Sequence, residues 1–179
     1  YETTTVRTTI MDNTMVWRPP VHGWVKLNTD GSFGQNGSAG AGMILRDEAG
    51  FVIVSACRQL FACRDALEAE LCACMEGISL AIQWTAMPLV IQTDCLDVVK
   101  LITGTDDDRS AHTMMVQEIR SHLQEGREFL VKHVRREQNS VSHFLANFGR
   151  TQGRTMVWLG SGPEDVLDIV LRDCNHLNI

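Results

Sequence analysis

No apolar stretch in the sequence reaches the roughly 18 residues that a membrane span requires, and no signal-type apolar segment follows the N-terminus. Basic residues do not dominate either. Sixteen Lys and Arg against 22 Asp and Glu leave a net charge of −6, which argues against binding nucleic acid by bulk electrostatics but not through a local basic face. Six cysteines (Cys57, Cys63, Cys72, Cys74, Cys95, Cys174) form no paired framework and lack zinc spacing, so they read as thiols in a reducing compartment, nuclear or cytoplasmic. Compositional disorder is confined to the Thr-rich residues 3–9. The Gly-rich stretch 31–42 lacks the Gly-Lys-Ser/Thr ending of a phosphate loop and leads into a strand rather than a helix; a turn and close backbone packing explain it better.

What remains is an ordinary soluble composition, 44% apolar and 21% charged, on 179 residues, enough for one domain with short extensions. The chain starts at Tyr1 rather than Met, so it is expected to be a fragment or a processed form. Residues 1–20, ending in Trp17-Arg18-Pro19-Pro20, read as a linker, 21–150 as the domain, and 151–179 as an extension packing on it. Residues 24–29 alternate as a strand that stops at Asp30-Gly31-Ser32. Asn36-Gly37 marks a hairpin, and 42–46 and 51–56 complete an antiparallel meander. From 65 to 85 the period becomes 3.6, with Leu67, Leu71, Cys74, Met75, Ile78 and Ile82 on one stripe. The apolar run 89–91 reads as a strand buried on both faces. Helices at 96–102, 112–124 and 141–148, with a fifth strand at 129–134, complete the predicted order β-β-β-α-β-α-α-β-α. That order implies an α/β fold with a five-stranded mixed sheet flanked by helices.

Three acids stand out by position. Asp30 closes the first strand, where an Asp is often only a turn residue. Asp94 follows the buried strand, where it could serve as an N-cap. On the long helix, Glu70 lies at the edge shared with Cys74, Gly77 and Ala81, and Glu68 at the opposite edge; periodicity does not choose between them. Arg120, Arg127, Lys132, Arg135 and Arg136 are the candidates for a local basic face.

Taken together, Asn28-Thr29-Asp30-Gly31-Ser32, residues 40–46 (Gly-Ala-Gly-Met-Ile-Leu-Arg), Ala69-Glu70, Thr93-Asp94, and His133 six residues before Asn139 resemble type 1 ribonucleases H in order and context. Trp17-x-Pro19-Pro20 and residues 134–139 are most similar to the plant reverse-transcriptase-like, retrotransposon-derived subfamily. The resemblance spans about residues 24–148 and selects Glu70 over Glu68. It implies an endonuclease that cuts the RNA strand of RNA–DNA hybrids with two Mg²⁺ ions, or Mn²⁺ in their place, roughly 3.5–4 Å apart. By the same carry-over Asp30, Glu70 and Asp94 are metal ligands, and His133 shuttles a proton from a mobile loop or strand end. Gly31, Ser32, Arg135, Arg136 and Asn139 would then lie on the nucleic-acid side, with Asn139 orienting the site.

Where the family commonly carries a fourth Asp, four residues after Asn139, this chain has His143. On the last helix it points away from the apolar stripe, toward either the cleft or water. Ala66 and Leu67 replace the Asn pair that precedes the catalytic Glu in many bacterial members, and Asp106-Asp107-Asp108 stands where a basic handle helix would be. Another class of reading is therefore a non-catalytic domesticated module that binds nucleic acid or a protein partner. A related 3′–5′ exonuclease is disfavoured because the first strand lacks Asp-x-Glu. The chain is expected to act as a monomer, away from membranes.

Overall fold

The computed structural model describes residues 15–105, 111–124 and 126–175. The Thr-rich residues 3–9 and the acidic 106–108 lie outside them. Six strands form one sheet in the order β5-β4-β1-β2-β3-β6. β1 (Val25–Phe33), β2 (Ala39–Arg46) and β3 (Val52–Leu60) form the meander, and β4 (Leu89–Thr93) and β5 (Phe129–His133) add in parallel beside β1. The sixth strand, β6 (Met156–Leu159), was not expected; it pairs antiparallel with β3. Asn36-Gly37 makes the β1–β2 turn, where Gly37 takes φ +79°, a conformation that suits glycine.

Helices cover both faces. α1 (Ala66–Trp84), α2 (Leu96–Thr103) and α3 (Thr113–His122) enclose the larger core on one side, around Leu27, Met43, Leu71, Ile78, Ile91 and Ile119. α1 begins at the Asp65 cap, whose carboxylate accepts from Glu68 N at 2.8 Å. Its buried face is Ala69, Ala73, Cys74, Gly77 and Ala81 with Leu71 and Ile78, whereas Leu67, Met75 and Ile82 are only partly buried. The stripe is thus rotated toward the small residues, which let the helix lie close to the sheet.

On the other side lie α4 (Ser140–Gln152) and α5 (Glu164–Asn175), packed over Ile44, Cys57, Val141, Leu145, Val166 and Val170. α5 also delivers Asp173 to Arg46, a buried ion pair at 2.7 Å. The Arg46 guanidinium in turn stacks 3.7 Å from the ring centre of Trp17. Trp17, in the segment expected to be a linker, is 1% exposed and donates from Nε1 to Asn28 Oδ1 at 3.1 Å. A buried indole needs such an acceptor, and only the folded sheet supplies it.

Candidate active site

β1 does not stop at Asp30 as expected. It loses its parallel neighbour β4 after Asn28, which pairs with Gln92, but continues against β2 to Phe33. Two residues beyond that last parallel pair stand Asp30, within β1, and Asp94, just past the end of β4, so the register of the two strands brings the carboxylates together where the sheet divides. Glu70 arrives from α1. A Cβ on Gly31 would lie 2.3 Å from Glu70 N and 2.4 Å from Ala69 C, so only glycine lets α1 sit this close to β1. One ligand atom from each of Asp30, Glu70 and Asp94 falls within 4.8 Å of the others, and among the described residues this is the group able to hold a metal ion. Glu68 is turned away and accepts from Arg64 N at 2.7 Å.

The cluster is electrostatically unfinished. Asp30 Oδ1 and Glu70 Oε2 are buried without a hydrogen-bond partner. Burial, then the charges of Asp30 and Asp94, push the Glu70 carboxyl from 4.5 up to about 9. Burial likewise raises Asp30, against the hydrogen bond from His143. Buried oxygens with no donor, on three converging carboxylates, are the surroundings a hard divalent cation satisfies. The donor set therefore fits Mg²⁺ or Mn²⁺.

A second pattern holds the acids in place. Asn28, Asp30 and Ser32 lie on one face of β1, and Asn139, His143 and Asn147 recur every four residues along the start and body of α4. Two strand residues advance about 6.7 Å and four helix residues about 6 Å, so the rows match rung for rung. Asn28 Nδ2 donates to Asn139 Oδ1 at 3.2 Å, His143 Nδ1 meets Asp30 Oδ2 at 2.8 Å, and Ser32 Oγ donates to Asn147 Oδ1 at 2.8 Å. The helix comes this near because a Cβ on Gly42 would lie 2.2 Å from Ser142 O, and one on Gly40 2.3 Å from Ala146 O. Arg150 Nε donates to Ser32 Oγ at 2.7 Å, which leaves the Ser32 hydroxyl to donate onward. Asn147 Nδ2 then donates to His143 Nε2 at 3.1 Å. Nε2 thus faces donors, Asn147 Nδ2 and Arg136 Nη1 at 3.3 Å, while Nδ1 faces the Asp30 carboxylate and is the nitrogen that donates to it. His143 therefore faces the acids rather than water. Sequence reasoning passed over Asn147 and Arg150, although the Asn139, His143, Asn147 spacing was a polar stripe open to view.

Other expectations shift. Asp94 is not a helix cap: its Oδ2 accepts from Arg136 Nε at 2.5 Å and its Oδ1 lies 3.4 Å from Asn139 Nδ2. Arg136, expected to meet phosphates, is thus engaged within the acid cluster, and its Nη1 lies 3.0 Å from His143 Nδ1. Arg135 Nη1 instead lies 3.2 Å from Met15 Sδ. The basic face is dispersed further. Arg120 donates to Leu101 O near the end of α2 and Arg127 to Thr85 O at the end of α1, where cations meet unpaired helix carbonyls. His133, implied to be a mobile proton carrier, closes β5; its Nε2 donates to Asp94 O at 3.1 Å and its Nδ1 is buried without a partner.

Residues 28–149 match the reverse transcriptase-like family. The chain belongs to that family. The reverse transcriptase-like domain is also 31% identical over 133 residues to an Arabidopsis thaliana protein that bears a provisional ribonuclease H name; the match covers 74% of this chain but only 21% of that protein's length. Among solved structures, ribonuclease H1 of the halophilic archaeon Halobacterium salinarum superposes with a TM-score of 0.65 at 23% identity, over 70% of this chain and 96% of that one. The LC11 ribonuclease H1 from compost gives 0.67 at 19% identity, over 73% and 98%. The same enzyme solved with an RNA/DNA hybrid gives 0.63 over 72% and 98%. At these identities the likeness is one of fold, and the reverse transcriptase-like domain carries the ribonuclease H fold with its acidic cluster where β1 and β4 part. Among the described residues no helix is long and apolar enough to cross a membrane.

Proposed function

We propose that the chain hydrolyses the RNA strand of RNA–DNA hybrids, with divalent metal held by Asp30, Glu70 and Asp94. The observation that carries this reading is the convergence of those three carboxylates with two buried oxygens that have no donor. Bound there, a pair of Mg²⁺ or Mn²⁺ ions would supply an activated water and neutralise charge on the leaving 3′ oxygen. The chain's own residues fix where this happens. His143 orients Asp30 by donating from Nδ1, and Asn139 ties the site to β1 through Thr29 O at 2.9 Å. His133 steadies the Asp94 backbone from β5. Its engaged Nε2 and buried Nδ1 favour this positioning over proton shuttling. The hybrid seen with the compost enzyme supports the substrate class.

A second reading, a binding module without catalysis, draws on His143 in place of an acid and on Arg136 seated at Asp94. A labelled hybrid incubated with Mg²⁺, Mn²⁺ or chelator separates the two. Metal-dependent cutting of the RNA strand, slow in Mg²⁺ and faster in Mn²⁺, is expected. Hybrid binding without cleavage in either metal would favour the module.

A further inference from the structure

The three carboxylates are not equally available to a cation. Asp30 Oδ1 and Glu70 Oε2 have no partner, whereas both oxygens of Asp94 face protein donors: Arg136 Nε on Oδ2 and Asn139 Nδ2 near Oδ1. Asn139 is neutral and buried, and it is anchored to Thr29 O. Arg136 differs in each respect. It carries a full charge, its side chain is 56% exposed against 8% for Asp94, and it starts the short 3-10 turn Arg136–Asn139 that precedes α4. Its guanidinium sits on one acid of the cluster, and it contacts His143 as well.

We infer that Arg136 is a resident cation of the site, a positioning residue that occupies Asp94 in the metal-free chain and must be displaced when a divalent ion binds, so that it sets the metal concentration at which the site loads. The inference rests on the metal reading proposed above. The Arg136 end of the pair is half exposed while the Asp94 side chain is buried, so solvent screens the guanidinium and the long side chain regains its freedom on leaving. While it holds, it fixes the orientation of the Asp94 side chain beside the two other acids. A metal approaching the cluster meets one positive charge at contact distance from a ligand oxygen, and removing that charge should tighten binding by about ten-fold.

The test is the Mn²⁺ dissociation constant of the full chain, read by calorimetry without substrate, for the unaltered protein and for Arg136→Gln, Arg136→Lys and Asp94→Asn. Arg136→Gln is expected to bind about ten-fold more tightly, while Arg136→Lys, which keeps the charge, stays near the unaltered value. Asp94→Asn should weaken binding, which locates the titrated ion in this cluster. If Arg136→Gln proves poorly folded, Arg136→Met carries the same expectation. Arg136→Gln or Arg136→Met binding no more tightly than the unaltered chain overturns the inference and leaves the metal site standing. No saturable binding in any of the proteins defeats the metal site itself, and this inference with it.

Discussion

Glu70 shows most directly what the metal-free site costs. The folded chain holds its proton up to about pH 9, whereas an unfolded chain releases it near 4.5. Between those values folding takes up a proton, so the metal-free protein should lose stability as pH rises through this window. Melting in chelator from pH 5 to 9 is expected to show a falling midpoint, and Glu70→Gln, which cannot titrate, should flatten the curve. A midpoint that rises with pH equally in both proteins would mean that other groups dominate. His143 gives a second expectation at this scale. A carboxylate in its place would face Asp30, now 2.8 Å from the imidazole, and would add a negative charge beside the metal ligands. His143→Asp should therefore melt lower in chelator, yet bind Mg²⁺ more tightly and cleave hybrid faster in Mg²⁺. Equal initial rates would reduce His143 to a structural contact.

At the scale of elements, the site depends on two close approaches, α1 on β1 at Gly31 and α4 on β2 at Gly40 and Gly42. Gly42→Ala puts a methyl group into the α4 backbone, where no flexible side chain can give way. It is expected to cost about 1–3 kcal/mol in chemical denaturation and to part the α4 row from Asp30, so that activity falls more than stability. A fully stable and active Gly42→Ala would show that the helix can shift without loss. These elements also mark what could be read from sequence. Asp30, Asp94, the glycines and the long helix follow from local patterns, because strand alternation, a 3.6 period and turn residues are properties of neighbours in the chain; Glu70 is selected over Glu68 only by the family resemblance. β6 and α5 do not. Met156, Val157 and Leu159 remain exposed while Trp158 alone packs inward, so the strand has no alternation to detect. α5 buries Val166, Val170 and the charged Asp173, and its third contact is intelligible only opposite Arg46. The contact of Arg136 with Asp94 was not legible for a related reason: a basic residue near a basic strand end suggests phosphate, and only the fold sets it against Asp94.

Across the described residues, Trp17 and α5 both pack on the face that carries α4. Trp17 stacks on Arg46, Asp173 neutralises it, and the α5 core lies directly against Val141 and Leu145 of α4. Asp173→Ala would leave a buried guanidinium unpaired and should cost about 3–5 kcal/mol, lowering the denaturation midpoint; an unchanged midpoint would show that Arg46 finds another anion or water. Because α4 carries His143 and Asn147, loosening that face also bears on the acids it orients, so fold and site are one system. The most direct test of metal-dependent hydrolysis by this system is the initial rate of RNA-strand cleavage in a labelled RNA–DNA hybrid, with saturating Mn²⁺, for the unaltered chain and for Glu70→Gln. The expected result is cleavage by the unaltered chain that chelator abolishes, and none by Glu70→Gln, with the variant melting no lower than its parent in chelator. Cleavage by Glu70→Gln at the unaltered rate would contradict the account, because the carboxylate placed by Gly31 beside Asp30 would then have no part in the chemistry.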